Sequence, residues 1–113
     1  MVKRGEVYYA DLDPVIGSEQ KGHRPIIVIQ NDIGNLYSPT TIAAMVTSSQ
    51  KKKLPTHVHV KDESSDLSDD SIVMLEQIRT IDKQRLCSMI GHVSDKTMAL
   101  IEDAALCSLG IVR

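Results

Sequence analysis

The chain has 113 residues, 42% of them hydrophobic, and a formal net charge of −2. This suits one domain, residues 1–113, that can bury a real core without staples. The charge argues against bulk affinity for nucleic acid. The start, MVKRGEVYY, is not apolar enough for a secretory signal, and the run Ile26–Ile29 is too short to span a bilayer, so a soluble, cytosolic protein with no membrane partner is expected. Cys87 and Cys107 lack metal-type spacing and read as free, mostly buried thiols. Tyr8, Tyr9 and Tyr37 are the only aromatic residues, so the core must be aliphatic. Residues 1–60 carry a charge of +2 and residues 61–113 a charge of −4, which places any phosphate ligand on the first half.

Residues Glu6–Leu12 predict a first strand. Residues 13–23 form a loop broken by Pro14, Gly17 and Gly22. Arg24–Asn31 is a second strand, and its unbroken run Ile26-Ile27-Val28-Ile29 implies burial on both faces and a central place in a sheet. Residues 32–40 read as a turn, Thr41–Ser48 as a third strand, and residues 49–55 as a basic connector closed by Pro55. Thr56–Val60 alternates as a fourth strand. KDESSDLSDD, residues 61–70, reads as an acidic, exposed loop. A fifth strand starts at Ser71 and continues towards Ile81, and a sixth covers Leu86–Val93. Only the end is helical. Ser94 is a good N-cap, Asp95 suits the first turn, Met98, Ile101, Ala105 and Leu109 form an apolar stripe, and Gly110 is a natural stop. The fold class is therefore mostly β (α+β), a small antiparallel barrel closed or covered by a C-terminal helix.

Arg24 puts a charge at the mouth of this core. Pro25 after it disfavours helical backbone and holds Arg24 extended. If the second and third strands pair as a hairpin with positions summing to 71, Arg24 lies opposite Thr47, on the same face. A slip of one residue would separate them. A guanidinium and a hydroxyl at one sheet end make an anion site, and the chemistry of RNA suits it. The ribose 2′-OH attacks its own phosphate, so the protein has only to align the attack, move protons and stabilise charge on the phosphoryl oxygens. Arg matches phosphate with a planar fork of donors, and preorganised donors supply much of the stabilisation in such sites. The competing readings are an ion pair of Arg24 with Glu19 or Glu76, and a Thr47 chosen for β-propensity.

Ser18, Glu19 and Gln20 read either as plain turn residues or as a loop that covers RNA and reads base edges. His23 titrates near neutrality beside Arg24, but in a regular strand it points to the other face. Glu76 and Gln77 suit base recognition, or else a hydrogen-bond network at a strand end. His57 and His59 share a strand face without a third metal ligand of motif spacing, so exposed histidines in reach of RNA are expected rather than a zinc site. Lys51, Lys52 and Lys53 either steer the RNA backbone or solubilise a loop. With so few aromatics, no base-stacking platform is expected.

The stretch RGEVYYADLDPVIGSEQKGHRPIIVIQND, followed by TSSQ, LPTHV and LEQIRTIDKQRL, resembles the MazF/PemK family of toxin endoribonucleases along nearly the whole chain. The resemblance implies an SH3-like barrel, a homodimer, and cleavage of single-stranded RNA at a short sequence without a metal or other cofactor. It further implies products with 2′,3′-cyclic phosphate and 5′-OH ends, and neutralisation by a MazE-like antitoxin. It matches Arg24 and Thr47 to the catalytic pair. A CcdB-like gyrase-inhibiting toxin shares the fold, but its family ends in a Trp-containing C-terminus and this chain has no Trp. A non-catalytic RNA-binding or regulatory barrel is the third reading.

Overall fold

A computed structural model of the chain describes residues 1–12, 17, 22–48 and 53–112. Six strands and two α-helices follow in the order β1 (Glu6–Asp11), β2 (His23–Val28), α1 (Asp32–Tyr37), β3 (Thr40–Thr47), β4 (His57–His59), β5 (Ile72–Asp82), β6 (Leu86–His92) and α2 (Asp95–Leu109). All strand pairings are antiparallel, in the order β4-β5-β3-β2-β1-β6. The ladder ends at β4 and β6, so the sheet is not closed, and α2 packs against β4 and β5. Among the described residues no helix is long and apolar enough to cross a membrane.

The central run on β2 behaves as its composition dictates. Ile27 belongs to one buried cluster with Val7, Ala44, Leu75 and the α2 residues Met98 and Ile101. Its neighbours Ile26 and Val28 belong to a second cluster with Ala10, Leu12, Met45 and Ile81. Successive strand residues point to opposite faces, so a strand buried on both must be apolar throughout.

Several expectations change. The turn expected at 32–40 contains the helix α1. Gly34 and Asn35 are weak helix formers, so the reason lies in hydrogen bonds made with distant residues as well as local ones. Asn31 caps the helix through Gly34 N (2.8 Å). Asp32 accepts from Arg4 N (2.7 Å), which is 28 positions away in the chain. The fully buried Asn35 accepts from Thr41 Oγ1 (2.7 Å) and donates to Gln30 O (3.0 Å). On α2 the stripe is Thr97, Met98, Ile101 and Ala104, with Ala105 half-buried and Leu109 59% exposed. Gly110, in the left-handed region at φ 71°, ends the helix. Both cysteines are free, as expected, but exposed rather than buried.

The acidic segment 61–70 is also more than a solvated loop. Glu63–Ser65 form a 3-10 turn, and Ser65 is fully buried. Asp62 clamps the start of α2, accepting from Ser94 N (2.7 Å) and Thr97 Oγ1 (2.9 Å). The turn lies so close to β6 that a Cβ on Gly91 would sit 2.2 Å from Ser64 O, which only glycine avoids. Burial pushes the Asp62 carboxyl up, but the bonds from Ser94 and Thr97 outweigh it and hold the carboxyl below its ordinary value. A carboxyl with a lowered value in the fold adds stability above its unfolded value, about 3.9, and loses it as pH falls through the folded one. Asp62→Ala should therefore cost roughly 1 kcal/mol at neutral pH, the cost typical of a lost helix cap, or about 4 °C in Tm. Thermal unfolding should show the gap to wild type narrowing between about pH 5 and pH 2. A gap independent of pH would contradict the ionic clamp.

Candidate functional site

The site is built where β2 and β3 run side by side. Ile26 pairs with Met45, Ile27 with Ala44 and Val28 with Ala43. This is the register in which positions sum to 71, and continued two residues past the last pair of the ladder it would set Arg24 opposite Thr47. On the other side of β2, Arg24 pairs with Ala10 and Pro25 with Tyr9. Proline has no amide hydrogen to donate and is confined to such strand ends.

Arg24 and Thr47 line one cavity of about 230 Å³. Thr47 is 8% exposed, and Arg24 is exposed. Tyr9 and Pro25 form part of one wall, and Asp66, Ser68 and Ser71 form another. The cavity therefore combines a guanidinium, hydroxyls and one aromatic ring. Asp66 has left-handed backbone (φ 57°), the only non-glycine residue to do so among those described. Its segment is pinned by Leu67 N donating to Ser65 Oγ (3.2 Å) and by Ser65 Oγ donating to Asp62 O (2.6 Å).

Other expected residues fall elsewhere. His23 is exposed, pairs with Asp11 on β1 and does not line the cavity. Ser18, Glu19 and Gln20 lie outside the described residues, as do Lys51 and Lys52. Glu76 and Gln77 sit at an irregularity in β5, where the pairing with β3 jumps from Met45–Met74 to Ala44–Ile78. Neither residue lines the cavity.

Glu76 Oε1 accepts from Thr56 Oγ1 (2.8 Å), and its Oε2 meets His57 Nε2 (2.8 Å). Leu54 N donates to His57 Nδ1 (3.3 Å), so that nitrogen is unprotonated and the ring proton lies on Nε2, which donates to Glu76. Burial pushes the Glu76 carboxyl up, but the His57 bond, its own backbone amide and Thr56 together hold it below its ordinary value. His57 is thus not the exposed histidine expected from the alternation, since its side chain is only 4% exposed. His59 Nε2 contacts Asp69 O at 2.7 Å. Among the described residues no three His, Cys, Asp or Glu side chains are grouped to hold a metal ion.

Residues 3–109 match the family described as the PemK-like, MazF-like toxin of type II toxin-antitoxin system. The chain belongs to this family. The MazF/PemK domain here is 54% identical to Endoribonuclease EndoA of Bacillus subtilis (strain 168) over 113 residues, covering 99% of this chain and 97% of that one. Among solved structures it is similar to an endoribonuclease in complex with its cognate antitoxin from a mycobacterial species (TM-score 0.85, 26% identity, 100% and 99% of the two chains). MazF from Deinococcus radiodurans has the same fold (TM-score 0.83, 23% identity, 96% of each chain).

Sequence reasoning missed Tyr9, Asp66, Ser68 and Ser71. The cross-strand partner of Pro25 was available as a signal for Tyr9 once β1 and β2 were paired. No local pattern ties residues 66–71 to Arg24. Tyr9 is 42% exposed and gives this MazF/PemK cavity one aromatic face. Tyr9→Leu should weaken binding of a single-stranded oligonucleotide by about 1–3 kcal/mol, the worth of one stacked base, with Tm nearly unchanged. Fluorescence anisotropy titration checks this, and unchanged affinity would remove Tyr9 from the binding surface.

Proposed function

We infer that this toxin is an endoribonuclease and that it cleaves single-stranded RNA at the cavity of Arg24 and Thr47. The observation that carries the reading is that these two side chains, 23 positions apart in the chain, line one small cavity. A phosphodiester seated there meets a guanidinium able to bridge two phosphoryl oxygens and a hydroxyl able to donate one further bond. The ribose 2′ oxygen attacks the adjacent phosphorus, the bond to the 5′ oxygen breaks, and the ends are a 2′,3′-cyclic phosphate and a 5′-OH. The nucleophile belongs to the substrate, so the residues need supply only alignment, proton transfer and charge stabilisation.

Ser18, Glu19 and Gln20, in the segment before β2, are assigned to reading base edges, with His23 at the start of the same strand. Glu76 and Gln77, beyond the cavity on β5, are assigned to a nucleotide further along the strand. There the fixed Glu76 carboxylate offers an acceptor to exocyclic amino groups. An antitoxin of the MazE kind, acidic and partly disordered, is the proposed protein partner, competing with RNA for the basic first half of the chain, and the cytoplasm is the proposed setting. The resemblance to the toxin–antitoxin complex supports that partner. A homodimer is also proposed. An apolar groove lined by Ile29, Ile42, Ile78 and Leu109, with Ile42 and Leu109 exposed, suits self-association.

Purified protein should cut a long single-stranded RNA into discrete fragments with EDTA present. A substrate with one deoxyribonucleotide 5′ to the scissile phosphate should resist, since it lacks the nucleophile. Arg24→Lys keeps the charge but loses the fork, and should lower the single-turnover rate roughly a hundred- to thousandfold with Tm unchanged. Normal cutting of the deoxy-substituted substrate would overturn the transesterification. A folded Arg24→Lys protein with a near-normal rate would overturn the role of Arg24.

A further inference from the structure

We propose that the Ser71 hydroxyl is a further catalytic group of this cavity, taking the proton of the attacking 2′-OH and passing it through Ser68 to Asp70. The proposal rests on the reading that the cavity cleaves RNA.

The transesterification needs an acceptor for the 2′ proton, and neither Arg24 nor Thr47 is suited to that task. A guanidinium has no lone pair to offer, and a threonine hydroxyl is a poor base by itself. Ser71 lines the same cavity and follows the loop wall directly into β5, whose first residue, Ile72, pairs with Thr47. Ser71 is 3% exposed, so its hydroxyl is shielded from bulk water.

The direction of the hydroxyl chain follows from counting protons. Ser68 Oγ donates its single hydrogen to Asp70 Oδ1 at 2.7 Å. The contact between Ser68 Oγ and Ser71 Oγ, 3.1 Å, must then be donated by Ser71. With its proton committed to Ser68, Ser71 has only lone pairs left to present, so it is an acceptor in the cavity that also holds the donor Arg24. The chain ends on Asp70, which is exposed and exchanges protons with solvent.

As the 2′ oxygen bonds to phosphorus and the bond from phosphorus to the 5′ oxygen breaks, the 2′ proton moves to Ser71 Oγ. The Ser71 proton moves to Ser68 Oγ, and the Ser68 proton to the Asp70 carboxylate. The departing 5′ oxygen takes a proton from water, and Asp70 returns its own to the resulting hydroxide. Charge and atoms balance without any further reactant.

The backbone holds this chain in place. Ser71 N donates to Ser68 O (3.0 Å), closing the turn, and Val60 N donates to Ser71 O (3.0 Å), tying its end to the residue after β4. Asp66 is the acidic residue that lines the cavity and is exposed, Asp70 lies behind the wall, and Ser71 has a buried hydroxyl with a defined partner.

The test is single-turnover cleavage of one RNA by wild type, Ser71→Ala, Ser68→Ala, Ser68→Thr, Asp70→Asn and, as a control on the cavity itself, Arg24→Lys. RNA affinity and thermal unfolding are measured on the same samples. Ser71→Ala should slow cleavage about a hundredfold, the lower end of what positioned proton transfer contributes, with affinity and Tm retained. Ser68→Ala and Asp70→Asn should each slow it about tenfold, and Ser68→Thr, which restores the hydroxyl at an exposed position, should recover the rate. Should Ser71→Ala fail to fold, the Ser68 pair decides, and equal rates for Ser68→Ala and Ser68→Thr overturn the proposal. A folded Ser71→Ala protein within about threefold of wild type, beside an Arg24→Lys protein slowed about a hundredfold or more, overturns it too while leaving the cavity reading intact. Failure of wild type to cut RNA would overturn the cavity reading instead.

Discussion

Everything at this site depends on the register of β2 against β3. With Ile26 opposite Met45, the alternation of the two strands sends Ile26, Val28, Ala43 and Met45 into one core. Ile27, Ala44 and Val46 go into the other. Extended by two residues, the same register brings Arg24 and Thr47 together. A slip of one residue would send each of these side chains into the opposite core, among neighbours of the wrong size. Such a mismatch costs about 1–3 kcal/mol per site, so the packing of the two cores fixes the polar geometry at the strand ends. The core positions the site without including either of its principal residues.

The second wall is held by a different kind of bond. Residues 62–71 carry few apolar groups and are organised by hydrogen bonds. Asp62 reaches the start of α2, Ser65 turns back onto Asp62, Leu67 leans on Ser65, and Ser71 meets Ser68. Gly91 lets β6 approach the backbone of this segment closely. A catalytic constellation works only as well as the groups behind it hold their positions. Here the helix cap and the 3-10 turn form one set of hydrogen bonds, and Ser68, Asp70 and Ser71 form a second one directly after it in the chain.

Much of this was legible in the sequence. The unbroken run Ile26–Ile29 marked the central strand, Pro25 marked its end, and Ser94 and Gly110 bracketed α2. The RNA-cleaving reading came from Arg24 beside Pro25, from the assumed pairing with Thr47, and from the resemblance over GSEQ and the following strand. What escaped was whatever depended on distant partners. α1 is held in part by Arg4, 28 positions from its partner Asp32. The clean alternation of HVHV suggested exposed histidines, but the His57 side chain is buried and bonded to Glu76 at the irregularity in β5. Charge density made the acidic segment look like a solvated loop, because composition does not distinguish a carboxylate in water from one that caps a helix 32 positions away.

The central claim, that Arg24 and Thr47 hold the phosphate that is cut, is tested most directly by a crystal structure of the protein with an RNA strand made uncleavable by a single 2′-deoxy at the cut. The account predicts the scissile phosphate inside the cavity, with its oxygens within hydrogen-bond distance of the Arg24 guanidinium and the Thr47 hydroxyl. A strand that crosses the protein with its scissile phosphate elsewhere, leaving Arg24 and Thr47 without contact to it, would contradict the account.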